Sequence, residues 1–247
     1  MRNAFAFISP HWPAPRSVKA LVTSRERGGN PKPYEHFNMA EHVGDSSPHV
    51  AMAREDLQHF VGDAHPLLWL NQTHSTIVAD EYKPGMEADA SVAFSSDYAC
   101  VVMTADCLPV FFCSTEGDRV AVAHAGWRGL ADGVLEHTLA RLNLPPEKVI
   151  VWLGPAISSK HFEVGEEVRE RFIASDAQAF QCFEPSPFRL KHYMADLYHL
   201  ARLRLNLCGV DQVYGGGFCT YAERSRFYSY RRDGVTGRMA SVIWLAQ

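Results

Sequence analysis

The sequence contains no apolar run of the roughly 18 residues that a membrane-spanning helix requires, which argues against a membrane protein. It also has no internal repeat, no low-complexity segment and no linker long enough to force a division into domains. The formal net charge is only −4, and nothing favours binding to a nucleic-acid backbone or an anionic membrane surface. The N-terminal stretch 1–17 is interrupted by prolines, and this lack of a sustained apolar core makes it a poor signal peptide.

Disulfide pairing is also not expected. The six cysteines form no Cys-x-x-Cys pair and do not resemble the framework of a small secreted protein. Reduced thiols in the cytoplasm are the simpler interpretation. A hydrophobic fraction of 47% and a charged fraction of 21% are ordinary for a soluble globular chain. No segment forces a division of the 247 residues, so we expect one domain over 1–247.

Strand-like segments outnumber helical ones. They are rich in branched and aromatic residues and end at Gly, Asp, Asn or Pro. The predicted strands are Val18–Thr23, Leu67–Leu70, Ser75–Ala79, Ala99–Met103, Leu108–Cys113, Val120–His124, Val149–Leu153, Val213–Gly215 and Ser241–Leu245. Three helices are predicted: one capped by Ser47, one over Leu130–Leu142, and one that Asp196 caps and Gly209 ends. Because strands and helices do not alternate strictly, the pattern favours a layered α/β sandwich with a mixed sheet over a doubly wound parallel fold.

Three residues form a candidate metal-ligand set. His74 follows a polar Asn-Gln-Thr run, Cys107 stands where the chain turns before Leu-Pro, and His124 precedes a glycine-containing turn. One thiolate and two imidazoles suit zinc or copper. Three protein ligands leave one position of a tetrahedral metal open, which is typical of a catalytic site. Taken singly, each of these residues would more often be an ordinary core residue.

A series of longer motifs resembles the YfiH-like laccase-domain family, and the match extends from about residue 20 to the end of the chain. The motifs are TSRERGG, NMAEHVGD, NQTHS, ADA, TADCLPVFF, AHAGWRG, LGPAI, FEVGEEV and FYSYRRDGVTGRMAS. The resemblance implies a single α/β domain with zinc bound by His74, Cys107 and His124. It also implies phosphorolysis of purine nucleosides (adenosine, inosine and, as a further substrate, methylthioadenosine), with adenosine deamination as an additional activity.

Phosphorolysis needs a site for phosphate and a cradle for the nucleoside. Arg25, beside Gly28 and Gly29, is the first candidate for phosphate, because a guanidinium and free backbone N–H groups bind oxyanions. The further phosphate candidates are Arg128 and Arg231. Asn38 and His42, four positions apart in a polar loop, are candidates for hydrogen bonds to sugar or base.

Deamination needs an acid–base group near the metal. Asp106 and Glu163 are the two acidic candidates, although strand alternation would turn Asp106 to the face opposite Cys107. The zinc-deaminase signature H-x-E…P-C-x-x-C is absent from the sequence.

Three other functions remain open. Cys107 activated by His124 would suit a cysteine hydrolase, for example one that edits peptidoglycan precursors. A copper-dependent polyphenol oxidase is suggested by the older name of the family, but a multicopper cluster needs many histidines and none of the 12 present form a His-x-His pair. A metal-binding accessory protein without turnover is the third.

Overall fold

The computed structural model describes residues 7–26 and 28–246. The first six residues of the N-terminal stretch considered above as a signal peptide lie outside this part. The strands are β1 (Phe7–Ile8), β2 (Val18–Thr23), β3 (Leu67–Leu68), β4 (Val78–Ala79), β5 (Ala90–Ala93), β6 (Ala99–Thr104), β7 (Leu108–Ser114), β8 (Val120–Ala125), β9 (Val149–Leu153), β10 (Glu163–Gly165), β11 (Phe183–Pro185), β12 (His192–Ala195), β13 (Val213–Gly215) and β14 (Met239–Leu245). The helices are α1 (Ser47–Val61), α2 (Trp127–Asp132), α3 (Val134–Leu142), α4 (Glu166–Ser175), α5 (Leu197–Leu207) and α6 (Tyr230–Asp233). Across the described ranges, no helix combines the length and the apolar character needed to cross a bilayer.

The strands form three sheets. One has the order β1-β2-β14-β6-β3, the second β13-β9-β7-β8-β5-β4, and a small third sheet β10-β12-β11. Most neighbours are antiparallel, whereas β3 with β6, β4 with β5 and β13 with β9 are parallel. The expectation of a mixed-sheet α/β fold is therefore confirmed.

The two larger sheets and the helices that cover them form four layers. Val102 and Ile243 of the five-stranded sheet pack against Phe111 and Trp152 of the six-stranded sheet. The outer face of the five-stranded sheet packs against α1. The outer face of the six-stranded sheet packs against α2, α3, α4 and α5. Because both sheets are covered on both faces, their central strands are continuous apolar runs rather than alternating ones.

Helix ends follow the predictions only in part. The Asp196 side chain accepts a hydrogen bond from the His199 amide, so the predicted cap of α5 is confirmed. Ser47 is the first residue of α1 rather than its cap; the cap is Ser46, which makes no side-chain cap bond. The prediction of one helix over Leu130–Leu142 is wrong, because Gly133 takes a left-handed conformation (φ 99°) and separates α2 from α3.

Two predicted strands are shorter than expected, and the chain between them forms a loop that carries a residue of the candidate site. Only β3 and β4 remain of the strands predicted over Leu67–Leu70 and Ser75–Ala79. The chain between them, which contains His74, is an irregular loop instead. On the neighbouring strands, Pro109 of β7 pairs with His124 of β8, and Cys107 immediately precedes β7. The register of this antiparallel pair therefore brings Cys107 and His124 together.

Candidate metal centre and ligand cavity

The structure brings His74, Cys107 and His124 into one cluster. Their ligand atoms all lie within 4.8 Å of one another, and within the described ranges this is the only group of its kind. Cys107 Sγ lies 3.9 Å from His74 Nε2, and the two imidazole rings have centroids 4.8 Å apart. These donors, one thiolate and two imidazoles, are of the types that zinc and copper bind.

Asp89 holds the loop that carries His74. Its buried carboxylate accepts hydrogen bonds from the backbone amides of Thr73, His74 and Ser75 and from the Ser75 hydroxyl. His74 itself has φ 62°, a conformation that an L-residue rarely adopts without such support. The carboxylate thus fixes the backbone from which one ligand projects.

The same carboxylate orients the second histidine. Asp89 Oδ1 lies 2.7 Å from His124 Nδ1, so the other ring nitrogen, Nε2, is left for the metal site. Burial alone would raise the pKa of Asp89, but the hydrogen bond and charge of His124, together with the bonds from Ser75, lower it to about 2. The carboxylate is therefore ionised at neutral pH, which is typical of the partner of a metal-binding histidine.

Cys107 lies in an environment that favours the thiolate. Burial opposes ionisation, but the charge and hydrogen bond of His124 and those of His74 lower the pKa of Cys107 to about 6. The thiolate is the form of cysteine that binds a metal. The three side chains thus form a preorganised soft ligand set.

Gly126 makes room for this set at the end of β8. A Cβ added there would stand 2.7 Å from His74 Cδ2 and 3.0 Å from Cys107 Sγ. Its φ of −64° is ordinary, so the requirement for glycine is steric rather than conformational. In the sequence, the glycine at this position is part of the Ala-Gly-Trp-Arg-Gly segment after His124.

A cavity of about 490 Å³ opens onto the three ligands. Its lining combines polar, cationic and aromatic side chains: His42, Gln72, His74, Met103, Thr104, Ala105, Cys107, His124, Trp127, Arg128, Tyr230 and Arg238. A wider cleft of about 920 Å³ elsewhere on the surface shares none of these residues. We regard the smaller cavity as the candidate site because it contains the metal-ligand set.

Two guanidinium groups in this cavity have no acidic counterpart. Arg128 and Arg238 both line it, and no ion pair found within residues 7–26 and 28–246 involves either of them. Arg238 Nη1 donates to the carbonyl oxygens of Thr236 and Gly237, which fixes the group in place. Burial lowers the pKa of Arg238, and the more distant charges of Cys107 and Asp106 offset this effect only in part. An anion in the cavity would supply the missing opposite charge.

The candidate substrate residues from the sequence divide between two places. His42 and Arg128 line the cavity as expected of binding residues. Burial and the charges of Arg238 and Arg54 lower the pKa of His42, so this imidazole is neutral and offers both a donor and an acceptor.

Arg25 lies in the wider cleft instead. Its guanidinium is 3.4 Å from Glu35 and 3.7 Å from Asp233, and it lies over the Tyr228 ring. Its charge is therefore already compensated by two carboxylates. The assignment of Arg25 to phosphate stays a prediction, and its surroundings favour it less than those of Arg128.

Asn38 and Arg231 also lie outside the cavity lining. Asn38 is fully buried, and its side-chain oxygen accepts hydrogen bonds from the amides of Ala40 and Arg238. It positions the segment that carries Arg238. Arg231 donates its backbone amide to Asp106 and its guanidinium to the Glu163 carbonyl.

The two acidic candidates for proton transfer are engaged elsewhere. Asp106 is buried with φ 95°, and its two oxygens accept hydrogen bonds from the Thr220 hydroxyl and the Arg231 amide. Glu163 accepts a hydrogen bond from the Ser186 hydroxyl. Neither lines the cavity. Asp106 lies in a bend before β7 rather than on a strand, so its hydrogen bonds to Thr220 and Arg231, not strand alternation, direct its carboxylate.

Four residues of the site were missed by the sequence reasoning: Asp89, Arg238, Tyr230 and Gln72. Asp89 is a lone acidic residue between two buried alanines, and this pattern is the signal that would have indicated it. Gln72 exchanges two hydrogen bonds with the Met103 backbone and so anchors the ligand loop on β6. Arg238 and Tyr230 lie more than 100 residues from Cys107 in the chain, and no local pattern places them beside it.

Comparisons with known proteins match nearly the whole chain. A family model described as "multi-copper polyphenol oxidoreductase laccase" matches residues 19–246. A Pseudomonas aeruginosa protein named purine nucleoside phosphorylase is 48% identical over 243 residues, covering 97% of this chain and 98% of that protein. The Escherichia coli purine nucleoside phosphorylase YfiH is 47% identical over 246 residues, covering 96% of this chain and 98% of that protein.

Solved structures show the same fold. A crystal structure of a Neisseria meningitidis protein has a TM-score of 0.93 and 48% sequence identity, and covers 98% of this chain and 99% of that one. The crystal structure of YfiH from Bacillus licheniformis has a TM-score of 0.89 at 26% identity, covering 99% and 98%. With matches that extend over nearly its whole length, the chain belongs to the YfiH-like laccase-domain family.

Proposed function

We propose that the cavity is the active site of a zinc-dependent purine nucleoside phosphorylase. The observation that carries the proposal is the presence of two arginines without carboxylate partners, Arg128 and Arg238, in the same cavity as the metal-ligand set. A phosphorylase must hold a phosphate anion beside a nucleoside, and this cavity offers uncompensated positive charge for the anion. The names of the relatives in Pseudomonas aeruginosa and Escherichia coli support the same activity.

The donor set fits zinc better than a multicopper cluster. The residues that would hold the ion are His74, Cys107 and His124, a three-ligand set that leaves an open coordination position. Bound zinc would supply a Lewis acid and would lower the pKa of a water molecule. A multicopper oxidase needs further histidine clusters, and the described part of the chain contains no second group of ligands.

Phosphate binding falls to the arginines. A guanidinium can donate two parallel hydrogen bonds to phosphate oxygens. Arg238 uses Nη1 for its hydrogen bonds to two carbonyl oxygens, and its Nη2 and Nε groups are proposed to bind the phosphate. Arg128 lies over the Trp127 ring at 4.5 Å, which restricts its orientation. The two guanidinium groups together hold phosphate, which is the nucleophile, beside the nucleoside. Because the phosphate is already oriented, the reaction needs no separate encounter in solution and its barrier is lower.

The nucleoside is proposed to occupy the remainder of the cavity. Tyr230 is 61% exposed on the cavity lining, and Arg238 lies over its ring at 5.8 Å, so the opposite face of the ring is proposed to stack a purine. Neutral His42 can hydrogen-bond the ribose hydroxyls. In phosphorolysis an oxygen of hydrogen phosphate forms the new bond to C1′ of the ribose, the bond from C1′ to the purine nitrogen breaks, and the proton released by the phosphate goes to the departing purine.

The proposed substrates are adenosine and inosine, with methylthioadenosine as a further one. Adenosine deamination is proposed as a side activity, since a metal-activated water near a bound adenine is the basis of deamination in other enzymes. The protein is proposed to act in the cytoplasm, which contains both nucleosides and phosphate. These assignments rest on the names of the relatives and on the ligand set.

A cysteine hydrolase is the second candidate. The observation that favours it is the lowered pKa of Cys107 beside His124, since a thiolate next to an imidazole is the arrangement of a cysteine nucleophile. Metal ligation and nucleophilic attack would use the same sulfur, so the two candidates exclude each other in one molecule. Removing the metal with a chelator would abolish the phosphorylase and free the thiolate of the hydrolase.

The deciding experiment measures the products formed from inosine and adenosine by purified, metal-analysed protein with and without phosphate. We expect about one zinc per chain. We expect ribose 1-phosphate and free base only when phosphate is present, and inosine as a second product from adenosine. Cys107→Ala and His124→Ala should lose both metal and activity. Free ribose released at a rate independent of phosphate would instead indicate a nucleoside hydrolase, and cleavage of amides without action on nucleosides would indicate the cysteine hydrolase.

A further inference from the structure

A second thiol–imidazole pair lies apart from the metal centre. Cys219 Sγ is 3.5 Å from His161 Nδ1, and the Ser158 hydroxyl donates a hydrogen bond to the same sulfur at 3.1 Å. Cys219 is partly exposed. None of these three residues lines the cavity of the metal-ligand set, and the proposed phosphorolysis does not use them.

The fold fixes this pair from two sides. Strands β9 and β13 are parallel neighbours, so both strands finish at the same end of the sheet and the segments that follow them lie close together. The segment after β9 contains Ser158 and His161, which form a turn through the His161 amide and the Ser158 carbonyl at 3.0 Å. The segment after β13 contains Cys219, whose amide donates to Glu223 Oε1 at 2.9 Å.

The imidazole is held in a defined orientation. The His161 ring stacks on the Tyr221 ring with centroids 4.5 Å apart and an angle of 22° between the planes. Stacking restricts rotation of the ring and keeps Nδ1 directed at the sulfur. The pair is therefore a positioned base beside a thiol that also accepts a hydrogen bond from a hydroxyl.

We propose that Cys219 is a thiol–disulfide exchange site for low-molecular-weight disulfides, with His161 as its base. The thiol proton passes to His161 Nδ1, and Cys219 Sγ attacks one sulfur of the disulfide. A new bond forms between Cys219 Sγ and that sulfur, the original disulfide bond breaks, and the departing thiolate takes the proton from His161. The disulfide is the oxidant, and the products are a mixed disulfide on Cys219 and one free thiol.

The other five cysteines lack this combination of features. Burial raises the pKa of Cys100, Cys113 and Cys182 to about 12, so these thiols stay protonated and inaccessible. Cys107 belongs to the metal-ligand set. Cys208 is partly exposed like Cys219, but burial and the charge of Glu136 raise its pKa. Cys208 is thus a matched comparison within the same molecule.

The test treats the zinc-loaded protein with oxidised glutathione and follows each cysteine by peptide-mapping mass spectrometry. We expect the mixed disulfide to form on Cys219 at least roughly tenfold faster than on Cys208, because only Cys219 has a base in contact. Modification of Cys208 first, or of both cysteines at equal rates, would overturn the proposal.

Two variants test the role of His161. His161→Phe keeps a ring over Tyr221 but removes the nitrogen, and should slow exchange at Cys219 by roughly tenfold or more while leaving Cys208 unchanged. Ser158→Ala, a smaller change, should also slow it and provides a second measurement if His161→Phe does not fold. Unchanged exchange rates in the folded variants would show that the pair is only structural.

Discussion

Asp89 and His124 form a buried carboxylate–imidazole pair at 2.7 Å, and the same carboxylate holds three consecutive backbone amides of the loop that carries His74. One side chain therefore positions two of the three candidate metal ligands. This arrangement makes Asp89 a positioning residue, since it reaches the metal site only through the histidines.

Asp89→Asn should weaken zinc binding by about 10–100-fold, because the amide nitrogen cannot accept the loop's N–H bonds. Competition with a chromogenic chelator measures the zinc dissociation constant directly. Asp97→Asn is the matched control, since Asp97 is an exposed acidic residue that accepts a hydrogen bond from the Ser95 hydroxyl away from the cavity. Equal zinc affinity in Asp89→Asn and the wild type would show that the pair does not position the ligands.

Acid stability should depend on the same carboxylate. The pKa of Asp89 is lowered in the folded protein from 3.8 to about 2, so its stabilising effect is complete above pH 3.8 and is lost as the pH falls toward 2. The difference corresponds to about 2 kcal/mol of unfolding free energy. Urea unfolding of metal-free protein at a series of pH values should show this loss in the wild type and not in Asp89→Asn. A parallel pH dependence in both proteins would contradict the pairing.

Gly126→Ala should disrupt the metal site without unfolding the protein. The added Cβ would stand 2.7 Å from His74 Cδ2, so the ring must move away from Cys107. We expect loss of most bound zinc in metal analysis, with a circular dichroism spectrum like that of the wild type. Gly29→Ala is the control, because no atom lies within 4 Å of a Cβ at that position. Full zinc content in Gly126→Ala would mean that His74 is not a ligand in this position.

Arg238→Ala should raise the apparent KM for phosphate by roughly 10–100-fold, since a charge-assisted hydrogen bond contributes about 1.5–3 kcal/mol. The KM for inosine should change much less. Steady-state kinetics with each substrate varied separately provides the measurement, and Arg128→Ala should act in the same direction.

Arg25→Ala is the matched comparison in that assay. Because Arg25 is paired with Glu35 and Asp233 in another cleft, its removal should leave the KM for phosphate unchanged. A raised KM in Arg25→Ala with an unchanged KM in Arg238→Ala would support the assignment from the sequence and would move the phosphate site to the wider cleft.

Much of the sheet structure was predictable from sequence. The strands Val18–Thr23, Val149–Leu153 and Val213–Gly215 were predicted with the bounds that the structure has. The apolar run Val149–Leu153 specifies its strand because all five of its residues are buried. The three-residue strands β10 and β11 and the four-residue strand β12 escaped prediction, since short segments form strands only through the partners that the fold supplies.

By itself, the sequence determined the mixed α/β class and the family and predicted the three candidate ligands, because apolar periodicity and local motifs depend on residues close together in the chain. Only the tertiary structure decided which charges meet those ligands. Arg25 and Arg238 both stand near turn-forming glycines, but Arg25 is paired with two carboxylates whereas Arg238 lines the cavity and forms no ion pair within the described residues. Electrostatic pairing depends on distances of a few ångströms between residues far apart in the chain, and only the packing of the two sheets and their loops sets those distances.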